Sequence, residues 1–125
     1  MAVRKIIEID GAQVEFQASA ATPRLYRNLF QRDIFADMER LMGAMQGQDE
    51  SSSGLDAFDL ELFENAAYTM ARQADPSVPS DVMTWLDQYE MFSIYHILPH
   101  LIELWGVNVE TMASAKKKDL QQSAS

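Results

Sequence analysis

Through the first eighteen residues apolar and polar side chains alternate, and the alternation folds back on itself at Asp10-Gly11. An Asp-Gly pair between two alternating runs predicts a two-residue type I′ hairpin, because both central positions of that turn need positive φ. Pairing Ile9 with Ala12 sets Ile7 opposite Val14 and Lys5 opposite Phe16, while Ile6, Glu8, Gln13 and Glu15 fall on the other face. One mostly apolar and one mostly polar face predict a hairpin over residues 3–18 that covers a helical core. Alone in water such a hairpin is marginal, so it must pack on something.

After it the period changes to that of helices. Thr22-Pro23 reads as an N-cap followed by proline at the first helical position. Leu25, Tyr26, Leu29 and Phe30 make the first apolar stripe, and Ile34, Phe35, Met38, Leu41, Met42 and Met45 continue it, with a break expected near Asp33. Residues 47–54, GQDESSSG, have linker composition. A second long helix is predicted over residues 56–73, burying Phe58, Leu62, Phe63, Ala66, Ala67 and Met70. Asp75-Pro76 and Pro79 end it, and Ser80 is the expected cap of a short helix with Val82, Trp85, Leu86 and Tyr89 inward. Over residues 92–105 Ile94, Ile97, Leu98, Leu101, Ile102 and Trp105 repeat at helical spacing, interrupted by Pro99 and followed by Gly106 as the expected stop. From about Asn108 the pattern fades. The expected fold is therefore α+β and mostly helical: an N-terminal β-hairpin packed on four to five α-helices. Residues 1–115 are read as one globular domain (hairpin 3–18, helical part 22–106) and 116–125 as a mobile tail.

Composition narrows the function classes. Hydrophobic residues make up 47% of the chain and aromatics 10%, ample for a packed core. Cysteine is absent, which removes disulfides and thiolate metal sites. The opening Met1-Ala2-Val3-Arg4-Lys5 leads into no apolar leader, and the richest apolar stretch, residues 92–105, holds two histidines and a glutamate. No signal peptide and no membrane span are expected, and a soluble, intracellular protein is. The net charge of −9 is unevenly spread. Residues 1–40 hold six basic and six acidic side chains, whereas 41–115 hold Arg72 against twelve acids. An acidic body repels phosphate backbones, so nucleic acid is not an expected partner.

Each constellation that suggests chemistry has a plainer reading. His96, His100 and Glu103 share one side of a helix, away from the apolar stripe, but Ile97 stands where the zinc-protease motif needs its glutamate. Asp49, Ser51, Ser53 and Gly54 echo a calcium loop, yet the position that should supply a bidentate carboxylate is Leu60. Asp56, Asp59, Glu61 and Glu64 read as a charged helix face, since no cleft is indicated that would perturb their titration. No nucleophile elbow, P-loop or dinucleotide fingerprint occurs. The expectation is a protein that is not an enzyme, without cofactor or metal.

What remains is binding. Eight methionines are many for this length, and Met38, Met42, Met45, Met70, Met83 and Met91 read either as core filling or as an adaptable surface for an apolar partner. Met83 and Met91 lie off the clearest stripes. Trp85, Tyr89 and Phe92 surround the same bend and fit either the core or a set of anchors. The candidate partner-binding residues are thus Met83, Trp85, Tyr89, Met91 and Phe92.

Three segments taken together carry a family resemblance: ATPRLYRNLFQRDIF (21–35), LELFENAAYTMARQADPSVP (60–79) and WLDQYEMFSIYHILPHLIELW (85–105). With the leading hairpin they resemble, over about residues 3–115, the tail assembly chaperones of long-tailed bacteriophages and prophages of Gram-positive hosts. The resemblance implies a protein that coats the long, helical tape measure protein in the infected cell's cytoplasm, keeps it soluble, presents it to tail tube subunits and leaves before the virion matures. It implies further partners as well, the tail tube protein and a longer, frameshifted form of the chain itself; self-association is compatible with coating. Lys116-Lys117-Lys118 is a candidate for the A-rich slippery site of such a frameshift, a hypothesis that lysine codons lacking a slippery heptamer would sink. A structural tail component, or a small phage regulator acting by protein contacts, is the alternative.

Overall fold

A computed structural model of the chain describes residues 2–46 and 55–106. The linker expected at 47–54, with its calcium-loop echo, and the expected tail lie outside these residues.

Strands β1 (Val3–Ile9) and β2 (Ala12–Ala18) pair antiparallel in the predicted register, with Ile9 opposite Ala12, Ile7 opposite Val14 and Lys5 opposite Phe16. Asp10 and Gly11 take φ of 53° and 82°, the left-handed values of a type I′ turn. Ile7, Ile9, Phe16 and Ala18 point into the core, whereas Ile6 stays exposed on the outer face.

Helix α1 (Thr22–Phe30) ends where Gln31 turns left-handed, and α2 (Ile34–Gln46) starts after Asp33, whose carboxylate accepts from the Phe35 N–H at 2.9 Å. The break near Asp33 is thus present. Thr22, however, is not the cap. Ala21 holds that position, and the Thr22 hydroxyl accepts from the Ser19 N–H at 2.9 Å and donates to Gln73 at 2.6 Å. Helix α3 (Ala57–Ala74) opens with a capping box between Asp56 and Asp59. The short α4 (Val82–Leu86) is capped by Asp81 rather than Ser80; the Asp81 carboxylate takes the Thr84 N–H at 3.1 Å. Helix α5 (Met91–His96) is followed, after one turn residue at Ile97, by helix α6 over residues 98–106. The chain breaks at Ile97, two residues ahead of Pro99, whose missing N–H cannot continue the α5 ladder. Pro99 then sits in the first turn of α6, where the missing N–H costs nothing.

The hairpin lies against α3 through β2, and α1, α2 and α4 also pack on α3. The buried residues of all these elements join one cluster around Phe16, Tyr26, Met38, Phe63, Tyr68 and Trp85, and α5 and α6 add Ile94, Ile97, Leu98, Leu101, Leu104 and Trp105. The fold is α+β, as expected. Two residues expected on the core stripes are exposed instead. Phe35 and Phe58 are each 40% exposed. Phe35 tilts against Trp105, while Phe58 lies beneath the guanidinium groups of Arg32 and Arg40, 5.1 and 4.9 Å from its ring centre. Cation–π stacking on an aromatic face explains why this side chain need not be buried.

Candidate partner-binding face

The bend between α4 and α5 is held from three directions. Trp85, only 1% exposed, meets the rings of Phe16, Tyr68 and Tyr89 edge-on, with centroids 6.5, 5.8 and 5.5 Å away. Tyr68 donates to the Pro79 carbonyl at 2.5 Å, and Arg72 donates to the carbonyls of Val78 and Pro79, tying the preceding loop to α3. From the opposite side the Asp10 carboxylate reaches the start of α5, accepting from the Glu90 N–H at 2.9 Å and from the Ser93 hydroxyl. These bonds, the Ser93 one foremost, hold the Asp10 carboxyl below its ordinary range.

On this fixed frame Met83, Met91 and Phe92 stand out at 61%, 68% and 74% exposure, more than any large apolar side chain among the described residues except Ile6 at 63%. Asp81, Asp87 and Glu90, also exposed, are their near neighbours in the sequence. Of the five candidate residues, these three are on the surface. Trp85 belongs to the core. Tyr89 is half-buried, and burial pushes its hydroxyl above the usual tyrosine range. Trp85 and Tyr89 also line a groove of about 250 Å³ between Ala12–Glu15 of β2 and the loop at 75–79. The other candidate methionines divide differently: Met38 and Met70 are fully buried, Met42 and Met45 half-buried.

His96, His100 and Glu103 are all exposed, as their helical phase requires. Glu103 is engaged by Lys5 at 3.0 Å, and that bond keeps its carboxyl below the usual range. Among the described residues no group of three His, Asp or Glu side chains is placed to hold a metal ion.

The acidic cluster at the start of α3 is not the simple solvated face that was expected. Asp59 is buried; its carboxylate receives Arg40 Nε at 2.5 Å and the Asp56 N–H at 3.1 Å, and the Arg40 bond lowers its pKa. Glu64 is half-buried, and burial raises its carboxyl despite a 3.0 Å bond from the Tyr95 hydroxyl. A second ionic cluster lies between α1 and α2. Asp37 is buried, held by two bonds of 2.8 Å from Arg32 and one of 2.7 Å from the Tyr26 hydroxyl. Burial works to raise the Asp37 carboxyl, but the Arg32 and Tyr26 bonds outweigh it and leave it lowered. Single-letter patterning carried no signal for either arrangement, because the partners are brought together by the packing of α2 on its neighbours. The Asp carboxylates of both clusters face arginines and act as structural clamps, whereas Glu64 has the Tyr95 hydroxyl and no cation; no buried side-chain polar atom among the described residues lacks a partner.

No helix among the described residues is long and apolar enough to cross a membrane. Comparison of the chain with protein-family models, with curated proteins and with solved structures finds no significant match.

Proposed function

We propose that this protein is a non-enzymatic tail assembly chaperone of a long-tailed phage or prophage, which binds the tape measure protein, keeps it soluble and promotes tube assembly around it. The observation that carries the reading is Met83, Met91 and Phe92, three large apolar side chains exposed on a bend anchored by the buried Trp85, with exposed acidic residues close by in the sequence. Thioether and aromatic side chains accept many apolar helices by repacking. Acidic neighbours favour a partner whose apolar stripe is flanked by lysine or arginine, and discourage contact with nucleic acid. The resemblance of segments 21–35, 60–79 and 85–105 supplies the identity of that partner. On this reading the protein works in the host cytoplasm and is absent from the finished virion.

Co-expression tests it: the tape measure protein encoded beside this gene should stay soluble and co-purify with the chain. If neither protein changes the other's solubility and they do not co-purify, the proposal fails. Mass spectrometry of purified virions separates it from a structural tail component, which would be present in stoichiometric amounts.

A further inference from the structure

The hairpin has one edge whose sequence is complementary to itself. In a two-residue hairpin the residues flanking the turn, Ile9 and Ala12, exchange both main-chain bonds, and bonding alternates from there. Val3, Lys5, Ile7 and Ile9 therefore bond to β2, while Arg4, Ile6 and Glu8 turn their N–H and C=O groups outward. Among the described residues nothing bonds those outward groups. The same three side chains occupy the exposed outer face, with Ile6 at 63% in the middle. Beside the edge runs a groove of about 370 Å³, walled on the far side by His96 and His100.

We propose that this edge pairs antiparallel with β1 of a second copy of the chain, about a two-fold axis at Ile6, joining two hairpins into one four-stranded sheet. In that register Ile6 meets Ile6, and Arg4 of each copy stands opposite Glu8 of the other, each pair exchanging both main-chain bonds. The charges select it. Centring the pairing on Arg4 or on Glu8 sets like charges opposite at the axis, which is unfavourable. The free edge of β2 is no substitute, since pairing it with itself at Glu15 faces two carboxylates. Pairing β1 with β2 of another copy leaves Ile6 opposite Glu15 and does not close. An isologous β1 contact covers the exposed Ile6 and ends the sheet's reactive edge. It stands independently of the tail-assembly reading: either can fail while the other holds.

Sedimentation velocity of the full chain across a concentration range tests the pairing, with Arg4→Glu, Glu8→Arg, the combined swap, and Ile6→Asp. The wild type should show a monomer–dimer equilibrium. Each single reversal alters both symmetry-related pairs and should weaken dimerisation about tenfold or more, as should Ile6→Asp, while the swap restores it to within about threefold of wild type. Arg4 also pairs with Glu15 of its own hairpin at 3.3 Å, so circular dichroism checks the fold of each variant; all these side chains are exposed, and unchanged spectra are expected. A wild type that stays monomeric at every concentration overturns the proposal, and so does a dimer indifferent to the single reversals or a swap that fails to restore it.

Discussion

The carboxylate of Asp10 accepts the backbone N–H of Glu90 at 2.9 Å, so the tip of the hairpin anchors the start of a helix eighty residues further on. Asp10 thus serves twice. Its backbone makes the type I′ turn at φ 53°, and its side chain holds α5, the helix that displays Met91 and Phe92.

Removing that anchor should loosen α5 without unfolding the chain. Asp10→Ala is expected to lower the melting temperature modestly and to speed amide exchange in Met91–His96 while leaving α3 protected. Because the folded-state pKa is lowered, the stabilisation is present above the ordinary value of 3.8 and is lost as pH falls through the folded value. Thermal melts of Asp10→Asn and wild type should therefore converge as the pH falls below the folded value. A gap that persists there would show that the carboxylate charge is not what matters.

Glu64 predicts the opposite slope. Its pKa is raised by burial, so its folded-state contribution is fully present below the ordinary 4.5 and is lost as pH rises through the folded value. Glu64→Gln keeps an acceptor for the Tyr95 hydroxyl and removes the buried charge. The variant should melt higher than wild type at pH 7, with the advantage closing toward pH 4; a lower melting temperature at pH 7 refutes this.

Asp37 is the hub of the α1–α2 junction. Asp37→Ala leaves the Tyr26 hydroxyl buried without an acceptor and should cost about 2–3 kcal/mol, less than a fully buried pair because the Arg32 side chain is 42% exposed and rehydrates. Tyr26→Phe alone should cost about 1 kcal/mol. Denaturant titration of the double variant should show a total smaller than the sum of the two; strict additivity would mean the residues do not act as one network.

The two roles around the bend separate by stability. Trp85→Ala empties a site enclosed by Phe16, Tyr68 and Tyr89 and should cost about 3–5 kcal/mol, a large share of the stability of an ordinary domain. Phe92→Ser, at 74% exposure, should change stability by less than about 0.5 kcal/mol. Calorimetry showing comparable losses for both would place Phe92 in the core.

The hairpin was fully legible in the sequence, register included, because Asp10-Gly11 admits one turn type and the alternation then sets every pair. Helices α1 to α4 were legible from periodicity, with boundaries off by a residue or two except at the end of α4, which stops at Leu86, short of the Tyr89 expected on its stripe. Three features were not. Phe58 sits on a helical stripe and still faces outward, because Arg32 and Arg40 come over from the other side of the loop to stack on it. Asp59 looked like part of a solvated face and is buried by its bond to Arg40. The link from Asp10 to Glu90 and Ser93 leaves no local trace at all. Periodicity reports which face of an element is apolar, not which polar groups meet across elements. For the same reason Trp85 and Phe92, both large aromatics beside one bend, could not be told apart until Phe16 and Tyr68 were seen to close over the first.

On the proposed function, the exposed apolar side chains of the α4–α5 bend hold an aggregation-prone helical partner in solution. The most direct test is the soluble fraction of the tape measure protein co-expressed with wild type or with the triple variant Met83→Ser/Met91→Ser/Phe92→Ser, whose own folding is checked by circular dichroism. The expected result is a soluble partner with wild type and a pelleted one with the folded triple variant. Equal solubility with both would contradict it.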